Sequence, residues 1–271
     1  RLPGRRLQAW SVAGRPVAAL YLPGRDRALM ISAGQHANEV SGPVGALRAA
    51  RDLARREGAH FTLCPLENPD GYALRQRLAR DNPRHLLHAA RYTALGDDLD
   101  CRRAPPEAER EIRAIAQHLS GALLHVSLHG YPAHEWTRPF SGYVPRGFAD
   151  WTLPRGFFLV LRHHRGWGGI ARRLVEAIVA RLRQVPGLAE RNLAQIALAR
   201  RHGVAVDAPG GFPRFVTEDA RAATPLTLLT EYPDETLLGE AFVAAHEAQR
   251  AAVIAAYEAL QQLDLTDRPP A

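Results

Sequence analysis

Three short runs of the sequence consist almost entirely of apolar or small residues, and no other feature constrains the fold as strongly. They are residues 28–33, 122–128 and 225–230. Strands that are covered on both faces, as in a parallel sheet between helices, have this composition. Longer segments with helical periodicity separate the three runs. The alternation predicts an α/β fold in which helices pack on the faces of a sheet.

The other elements are predicted from the same two periodicities. Further strands are expected at residues 7–12, 16–22, 60–66 and 157–162, and helices at residues 40–57, 106–119, 170–184 and 237–263. Residues 68–103, 130–156 and 203–224 are predicted to be irregular, and irregular segments of such length are usually functional. We expect one domain over residues 1–263, followed by a disordered polar tail at residues 264–271.

The composition is that of a globular protein and narrows the choice of partners. The 271 residues carry a formal net charge of +7, and all 35 basic residues are arginine. The arginines are scattered as pairs with acidic residues between them, without the basic and aromatic stripe that is typical of nucleic-acid binding. We therefore expect no nucleic-acid partner. No apolar run reaches the roughly 18 residues that a membrane span needs.

The two cysteines and the beginning of the sequence indicate a compartment. Cys64 and Cys101 are too few for a disulfide framework and too far apart for a CxxC metal motif. No charged and then apolar signal region opens the sequence. We expect a cytoplasmic protein. Its oligomeric state cannot be predicted from these features.

Residues that bind metals or transfer protons follow each of the three apolar runs. His36 and Glu39 come after the first run, His129 directly after the second and Glu231 directly after the third. Ligand sites in open α/β sheets lie at the carboxyl ends of the strands, so we expect these side chains to lie close together. Two histidines and one glutamate leave the fourth position of a catalytic zinc site open. A buried glutamate beside such a site can act as a general base.

Each of these residues also has a simpler interpretation. His36 and Glu39 can form a polar helix cap. His129 can be a packed histidine at a strand end, and Glu231 can face solvent. His134 competes with His129 for the ligand role, and we favour His129 because it ends the predicted strand. The joint occurrence at three strand ends favours the metal site over these alternatives.

A fourth motif, NPDGY at residues 68–72, lies between the first two of these sites and has the Asn-Pro and Asp-Gly pairs of a turn. With this motif the sequence resembles the zinc carboxypeptidases, in particular their short bacterial members. The HxxE element, NPDGY, the strand-end histidine and the strand-end glutamate all occur in the family's order. The resemblance implies a three-layer α/β/α sandwich with a mixed, largely parallel central sheet.

The resemblance also implies the roles of individual residues. One Zn²⁺ per chain would be bound by His36, Glu39 and His129, and Glu231 would be the general base. The family's short bacterial members have an arginine nine positions before the asparagine of a G-V-D-L-N-R stretch, and Arg91 stands nine positions before Asp100. With zinc, Arg91 would stabilise the tetrahedral oxyanion. Arg91 can alternatively be a surface cation. Within the same stretch, the family has an aspartate that would orient the first zinc-binding histidine through its second ring nitrogen.

That aspartate corresponds to Asp98, and two residues later the chain departs from the family. Asp100 and Cys101 stand where the family's exopeptidases have an Asn-Arg pair that holds the substrate's C-terminal carboxylate. An acid in this place cannot hold a carboxylate and would favour a cationic group instead. Arg102 or Arg103 would have to restore the clamp.

A second departure concerns the walls of the substrate site. The family's mobile tyrosine is missing from the interval that precedes Glu231, where residues 209–215 contain phenylalanine but no tyrosine. His134 and Tyr143, in the irregular stretch at residues 130–156, are candidates to line the substrate site, and plain packing within the loop is the equal alternative for Tyr143. Ordinary C-terminal specificity is therefore in question at both places.

These residues together predict a zinc-dependent metallocarboxypeptidase that hydrolyses a C-terminal peptide (amide) bond with a zinc-activated water and Glu231 as general base. A peptide or peptide-like small molecule is the expected substrate. An unusual or cell-wall-derived peptide is one candidate, because Asp100 can meet an extra amine. Two alternatives stay open: an N-acyl-amino-acid deacylase of the aspartoacylase type, and a catalytically silent peptide-binding domain. NPDGY favours the peptidase over the first, and the metal triad with Glu231 disfavours the second.

Overall fold

The computed structural model describes residues 2–83, 87–102, 105–131, 155–201 and 203–269. The strands are β1 (Arg5–Trp10), β2 (Pro16–Leu22), β3 (Leu29–Ala33), β4 (Phe61–Cys64), β5 (Leu124–Tyr131), β6 (Phe158–His163), β7 (Arg214–Glu218) and β8 (Leu226–Pro233). The helices are α1 (Ser41–Leu53), α2 (Pro69–Asp81), α3 (Glu111–Ser120), α4 (Gly168–Leu182), α5 (Leu188–Arg201) and α6 (Gly239–Gln261). Short 3₁₀ turns occur at His88–Arg91, Ala108–Arg110 and Pro209–Gly211.

The strands form one mixed sheet in the order β1-β2-β4-β3-β5-β8-β6-β7. The central strands β4, β3, β5 and β8 run parallel to one another. β6 is antiparallel to β8 and parallel to β7, and the other edge is the antiparallel series β1-β2-β4. The predicted fold class, an α/β sandwich with a mixed central sheet, is confirmed.

Side chains of the central strands alternate between an apolar and a polar face. Leu29, Leu124 and Leu226 are partners in the ladder and are fully buried, and their face packs with α1, α4 and α6 into the main core. The opposite face carries Ser32 and His125, whose side chains are hydrogen-bonded to each other. Helix α3 covers part of this second face. The polar face of the sheet is therefore the one that can hold a site.

Two central strands extend further than predicted. β5 continues to Tyr131 and β8 to Pro233, because the parallel pairing continues through His129 and Glu231. These two residues are partners inside the ladder, whereas the sequence placed them just after the strand ends. The sheet thus fixes their relative position.

Three elements were predicted to be irregular or were not predicted. α2 lies in the first irregular stretch, and it buries only its first three residues, so it has no apolar stripe to reveal it. α5 was not predicted at all. β7 lies in the segment predicted as irregular at residues 203–224, and it is an edge strand with mostly exposed side chains. Short or one-sided burial leaves little periodicity in the sequence.

Outside these elements, the chain after α6 is irregular through residue 269, and Leu265 packs against the main core. Residues 270 and 271 of the expected disordered tail lie outside the described residues, and the division at residue 263 stays a prediction. Among the described helices, none combines the length and apolarity required to cross a membrane.

Candidate metal centre and catalytic groups

The turn between β3 and α1 brings His36 and Glu39 to the same side. The Glu39 N–H donates to the carbonyl of His36 at 3.1 Å, which closes the turn just before α1 begins. Gly34 starts this turn with φ of +64°, where a Cβ would also lie 2.8 Å from a methyl group of Leu66. Glycine is therefore required there. Both potential ligands are buried, with 5% and 4% of their surface exposed.

His129 reaches the same point from β5. The imidazole Nδ1 atoms of His36 and His129 are 3.2 Å apart, and each faces one oxygen of Glu39, at 2.7 Å and 3.2 Å. The three ligand atoms all lie within 4.8 Å of one another. Two imidazole nitrogens and a carboxylate oxygen are the donors that zinc prefers, so this set fits the expected metal.

The second ring nitrogens are held by neighbouring groups. His36 Nε2 lies 3.0 Å from Asp98 Oδ2, and His129 Nε2 lies 3.0 Å from the Ser127 hydroxyl. Such contacts orient an imidazole and leave its other nitrogen for a metal. Asp98 thus occupies the position that the sequence predicted for it, while Ser127 was not predicted.

The charges of the cluster suit a cation. Burial alone would lower the pKa of the His36 imidazole, but Glu39 and Asp98 outweigh it and raise that pKa to about 9. Burial alone would raise the pKa of the Glu39 carboxyl, but His36 and His129 hold it well below its usual range. The buried site therefore stabilises positive charge, which a bound metal ion would supply in place of a proton.

Arg91 lies against the same acids. Its Nη2 donates to Asp98 Oδ2 at 3.0 Å, and its Nη1 lies 3.4 Å from Glu39 Oε1. The Arg91 side chain is 29% exposed. This position differs from that of a free surface cation. Arg91 can present donors to an anion beside the metal ligands.

The NPDGY motif positions Arg91 from behind. The Asn68 side chain accepts a hydrogen bond from the Gly71 N–H at the start of α2 and donates to the carbonyls of Arg91 and Tyr92. Asp70 binds Ser11 and two other groups of the β1–β2 turn. The motif is thus structural: it fixes the segment that carries Arg91 against the sheet.

Glu231 is the ladder partner of His129 and is half-buried. It lines a cavity of about 1280 Å³ on the polar face of the sheet, together with Tyr131 and Leu229. Burial, with a contribution from Glu39, raises the pKa of the Glu231 carboxyl to about 8, although His129 opposes this shift. A carboxyl group with a pKa near neutrality can both accept and release a proton.

Asp234 was missed by the sequence analysis. Its Oδ2 accepts hydrogen bonds from the N–H groups of Val40 and Ser41, at 3.1 Å and 2.6 Å, and so binds the N-terminus of α1. Its own N–H donates to the carbonyl of Tyr131 at 2.9 Å. Gly130 is packed directly against it, since a Cβ there would lie 2.1 Å from Oδ1. Asp234 therefore connects the turn that carries the candidate ligands His36 and Glu39 with β5 and β8.

A sequence signal for Asp234 did exist. The first turn of α1 contains no acidic residue, and its N-cap Val40 has no side-chain hydrogen bond. A helix N-terminus without a local cap needs an acceptor from elsewhere in the chain. Only the register of the sheet shows that this acceptor lies three residues after Glu231.

The residues expected to bind substrate are placed less uniformly. Arg102 is buried, with 3% of its side chain exposed, and it donates to Asp97, Glu109 and Thr93. Its guanidinium is therefore committed to the protein and does not reach the metal centre. Arg103, His134 and Tyr143 lie outside the described residues.

Asp100 lines a second cavity of about 530 Å³, which adjoins the first at Leu229 and Arg162. It pairs with Arg113 at 2.9 Å, and Arg113 also forms a two-point ion pair with Glu67. Burial alone would raise the pKa of the Asp100 carboxyl, but Arg113 holds it well below its usual range. The side chain is a fixed anion in the cavity wall.

The comparisons with known proteins agree with this geometry. Residues 6–102 match the zinc carboxypeptidase family model. This span includes β1 to β4, the ligand pair, NPDGY, Arg91 and Asp98. None of the curated proteins searched matches the chain.

Solved structures match almost the whole chain. A protein from Shewanella amazonensis is 14% identical, with 95% of this chain and 87% of that chain covered and a TM-score of 0.54. A metallo-carboxypeptidase from Burkholderia cenocepacia is 16% identical (95% and 66% covered, TM-score 0.54). A metallo-carboxypeptidase from Pseudomonas aeruginosa, in complex with (2-guanidinoethylmercapto)succinic acid, is 17% identical (94% and 64% covered, TM-score 0.51). At these identities the matches show the fold.

The family match covers the part of the chain that carries the first two ligands, Arg91 and Asp98. The fold that places His129 and Glu231 beside them is shared with metallo-carboxypeptidases. The match over residues 6–102 and the shared fold support the resemblance of the chain to the zinc carboxypeptidases.

Proposed function

We propose that the chain is a zinc-dependent carboxypeptidase that hydrolyses a C-terminal amide bond. The observation that carries the proposal is the convergence of His36, Glu39 and His129 on one point, with Glu231 beside them in the ladder. These four residues come from three different elements, and a merely structural role for any one of them does not require the others to meet. Their donor set and their charges suit a divalent cation.

His36, Glu39 and His129 would hold the zinc ion. When bound, zinc supplies a Lewis acid that polarises a carbonyl oxygen and increases the acidity of water. Asp98 and Ser127 keep the two imidazoles oriented through their second nitrogens. These contacts support a site whose ligands are oriented before any substrate arrives.

Glu231 would carry the proton. Its carboxylate accepts a proton from the attacking water and then delivers it to the nitrogen of the leaving amine. The raised pKa of its carboxyl suits both transfers near neutral pH. Arg91 directs the remaining donors of its guanidinium toward the oxyanion of the tetrahedral intermediate, while Asp98 holds it in place.

The second cavity supports a substrate class that is narrower than that of a general peptidase. The fixed anion Asp100 lies in its wall, and several arginines surround it. Such a wall complements a C-terminal residue whose side chain carries an extra amine, which Asp100 can pair with, and whose carboxylate an arginine can pair with. This supports an unusual or cell-wall-derived peptide as substrate. Conversion of Asp100 to Asn would then reduce turnover of peptides with a cationic end group more than that of peptides with an apolar one.

The proposal is tested by the products that the purified protein forms. The zinc-loaded and the chelator-treated protein are incubated with a pool of linear peptides, cell-wall peptides and N-acyl amino acids, and the products are identified by mass spectrometry. Loss of single C-terminal residues that the chelator abolishes supports the carboxypeptidase. Release of acyl groups from N-acyl amino acids would instead support a deacylase. No product from a zinc-loaded sample would support a binding domain.

A further inference from the structure

Arg162 directs its side chain from β6 into the space above the polar face of the sheet. It lies opposite Thr227 of β8 and lines both cavities. About a third of the side chain is exposed, at 32%. The guanidinium is therefore accessible from the same side as Glu231, which lines the larger cavity.

The ion pairs of Arg162 are long. Its Nη1 lies 3.5 Å from Asp100 and 3.8 Å from Asp219. Both carboxylates have shorter contacts with other arginines: Asp100 with Arg113 at 2.9 Å, and Asp219 with Arg221 at 2.8 Å through two parallel bonds. Within the described part of the chain, Arg162 donates no hydrogen bond. The two carboxylates keep the Arg162 guanidinium in the cavity by charge attraction. They do not occupy its N–H donors with hydrogen bonds.

The other arginines of the smaller cavity do not have this freedom. Arg102 is saturated by Asp97, Glu109 and Thr93, and Arg110 donates to the carbonyl of Arg102. Arg113 and Arg221 are engaged by the acids already described. An incoming anion would have to break existing hydrogen bonds to bind any of them, whereas Arg162 offers its planar pair of donors directly.

Arg162 is linked to the candidate metal centre through a series of contacts. It faces Asp100, whose N–H donates to Asp98 Oδ1 at 3.0 Å, and Asp98 in turn holds His36. Leu229 lies between Arg162 and the Glu231 end of the larger cavity. Because the two cavities share Leu229 and Arg162, the space beside Glu231 continues into the smaller cavity.

We propose that Arg162 binds the free C-terminal carboxylate of the substrate. The assignment rests on the proposed carboxypeptidase function and concerns the residue that replaces the missing Asn-Arg pair. It differs from the sequence-based expectation, because Arg102 is buried in a structural network. The carboxylate anchor thus comes from a strand of the sheet and not from the loop that carries Asp98 and Asp100.

The test compares free acids with amides. Acetylated tripeptides that end in Ala, Phe, Lys or Glu are prepared as C-terminal acids and as C-terminal amides. Their binding to the zinc-loaded Glu231→Gln protein, which should not consume them, is measured by calorimetry. The same titrations are repeated with proteins that carry Arg162→Ala or Arg162→Lys as a second substitution beside Glu231→Gln. Arg172→Ala, at an exposed arginine of α4, removes the same charge elsewhere and is the control.

We expect the acids to bind at least about tenfold more tightly than the amides, and Arg162→Ala to remove this preference without weakening the amides. Lys at this position should keep part of it, and the Arg172 control all of it. The assignment is overturned if the preference for acids survives Arg162→Ala. It is also overturned if the protein that retains Arg162 shows no such preference. If no peptide is hydrolysed by the otherwise unchanged enzyme but the Arg162-dependent preference persists, the proposed function fails and the carboxylate site stands.

Discussion

The proposed role of Glu231 can be tested separately from metal binding. Glu231 is the ladder partner of His129 but is not one of the three candidate ligands. Glu231→Gln keeps the shape of the side chain and removes the carboxylate. We expect kcat to fall by roughly 10² to 10⁴, the usual contribution of a general base. Zinc content, measured by atomic emission, should stay at one ion per chain.

The control for this prediction is Glu218→Gln, at an exposed glutamate in β7, which should have unchanged kinetics. Substantial turnover by Glu231→Gln would remove Glu231 from the role of base. Loss of zinc along with activity would instead show that Glu231 supports the metal site.

At the scale of single residues, the sequence patterns pointed to polar groups that directly follow buried strands. They did not point to groups whose contacts come from distant parts of the chain. His36, Glu39, His129 and Glu231 are visible because an apolar run and a polar residue are adjacent in sequence. Arg162 is the last residue of the strand predicted at residues 157–162, and nothing local distinguishes it. Its role depends on which acids face it: Asp100 comes from the irregular segment before α3, and Asp219 follows β7.

At the scale of elements, the N-terminus of α1 is held by one remote carboxylate. Asp234→Ala would leave the N–H groups of Val40 and Ser41 without their acceptor and would loosen the turn that carries Glu39. Loss of such support around metal ligands typically weakens metal binding by about 10- to 100-fold. We expect a decrease of this size in zinc affinity, measured by competition with a chelator of known affinity.

Asp70→Ala is the matched control for loss of stability alone. Asp70 is a buried aspartate that also accepts a backbone N–H and an arginine, but it binds the β1–β2 turn. It should lower the free energy of unfolding without a comparable change in zinc affinity. Equal effects of the two substitutions on zinc affinity would contradict the positioning role of Asp234.

The elements themselves were predictable in proportion to the apolar surface that they bury. β3, β5 and β8 are buried along nearly their whole length and were found, with errors only at their ends. α2 buries three residues of thirteen, and its first residues also have the signature of a turn. Burial by the tertiary structure, and not local propensity, decides whether such a helix leaves a pattern.

For the whole molecule, the buried His125 predicts a dependence of stability on acid. Burial, with a contribution from Arg113, lowers the pKa of its imidazole to about 3, and its Nε2 is paired with the Ser32 hydroxyl. The folded state therefore keeps His125 neutral, while the unfolded chain binds a proton below about pH 6.5. The contribution of His125 to stability is complete above pH 6.5 and is lost as the pH falls toward 3, by at most about 1.4 kcal/mol per pH unit.

Urea unfolding of the chelated protein at pH 7, 6, 5 and 4 measures this effect. His125→Gln retains a group that can pair with Ser32 but does not titrate, so its stability should fall less steeply below pH 6.5. The carboxylates contribute equally to both proteins, and the difference between the two curves isolates His125. Parallel curves would show that His125 is protonated as readily in the folded protein as in the unfolded chain.

Zinc should stabilise the whole molecule, because its ligands come from the β3–α1 turn and from β5 and meet only in the folded chain. A ligand that binds only the native state at 100 times its Kd adds about 2.7 kcal/mol to the free energy of unfolding. For a chain of this size this corresponds to a rise in Tm of roughly 5–10 °C. Scanning calorimetry with zinc and with chelator measures the shift.

His36→Ala should abolish this shift in Tm, and His118→Ala, at an exposed histidine of α3, should retain it. A zinc-dependent shift of equal size in His36→Ala would place the metal elsewhere in the molecule.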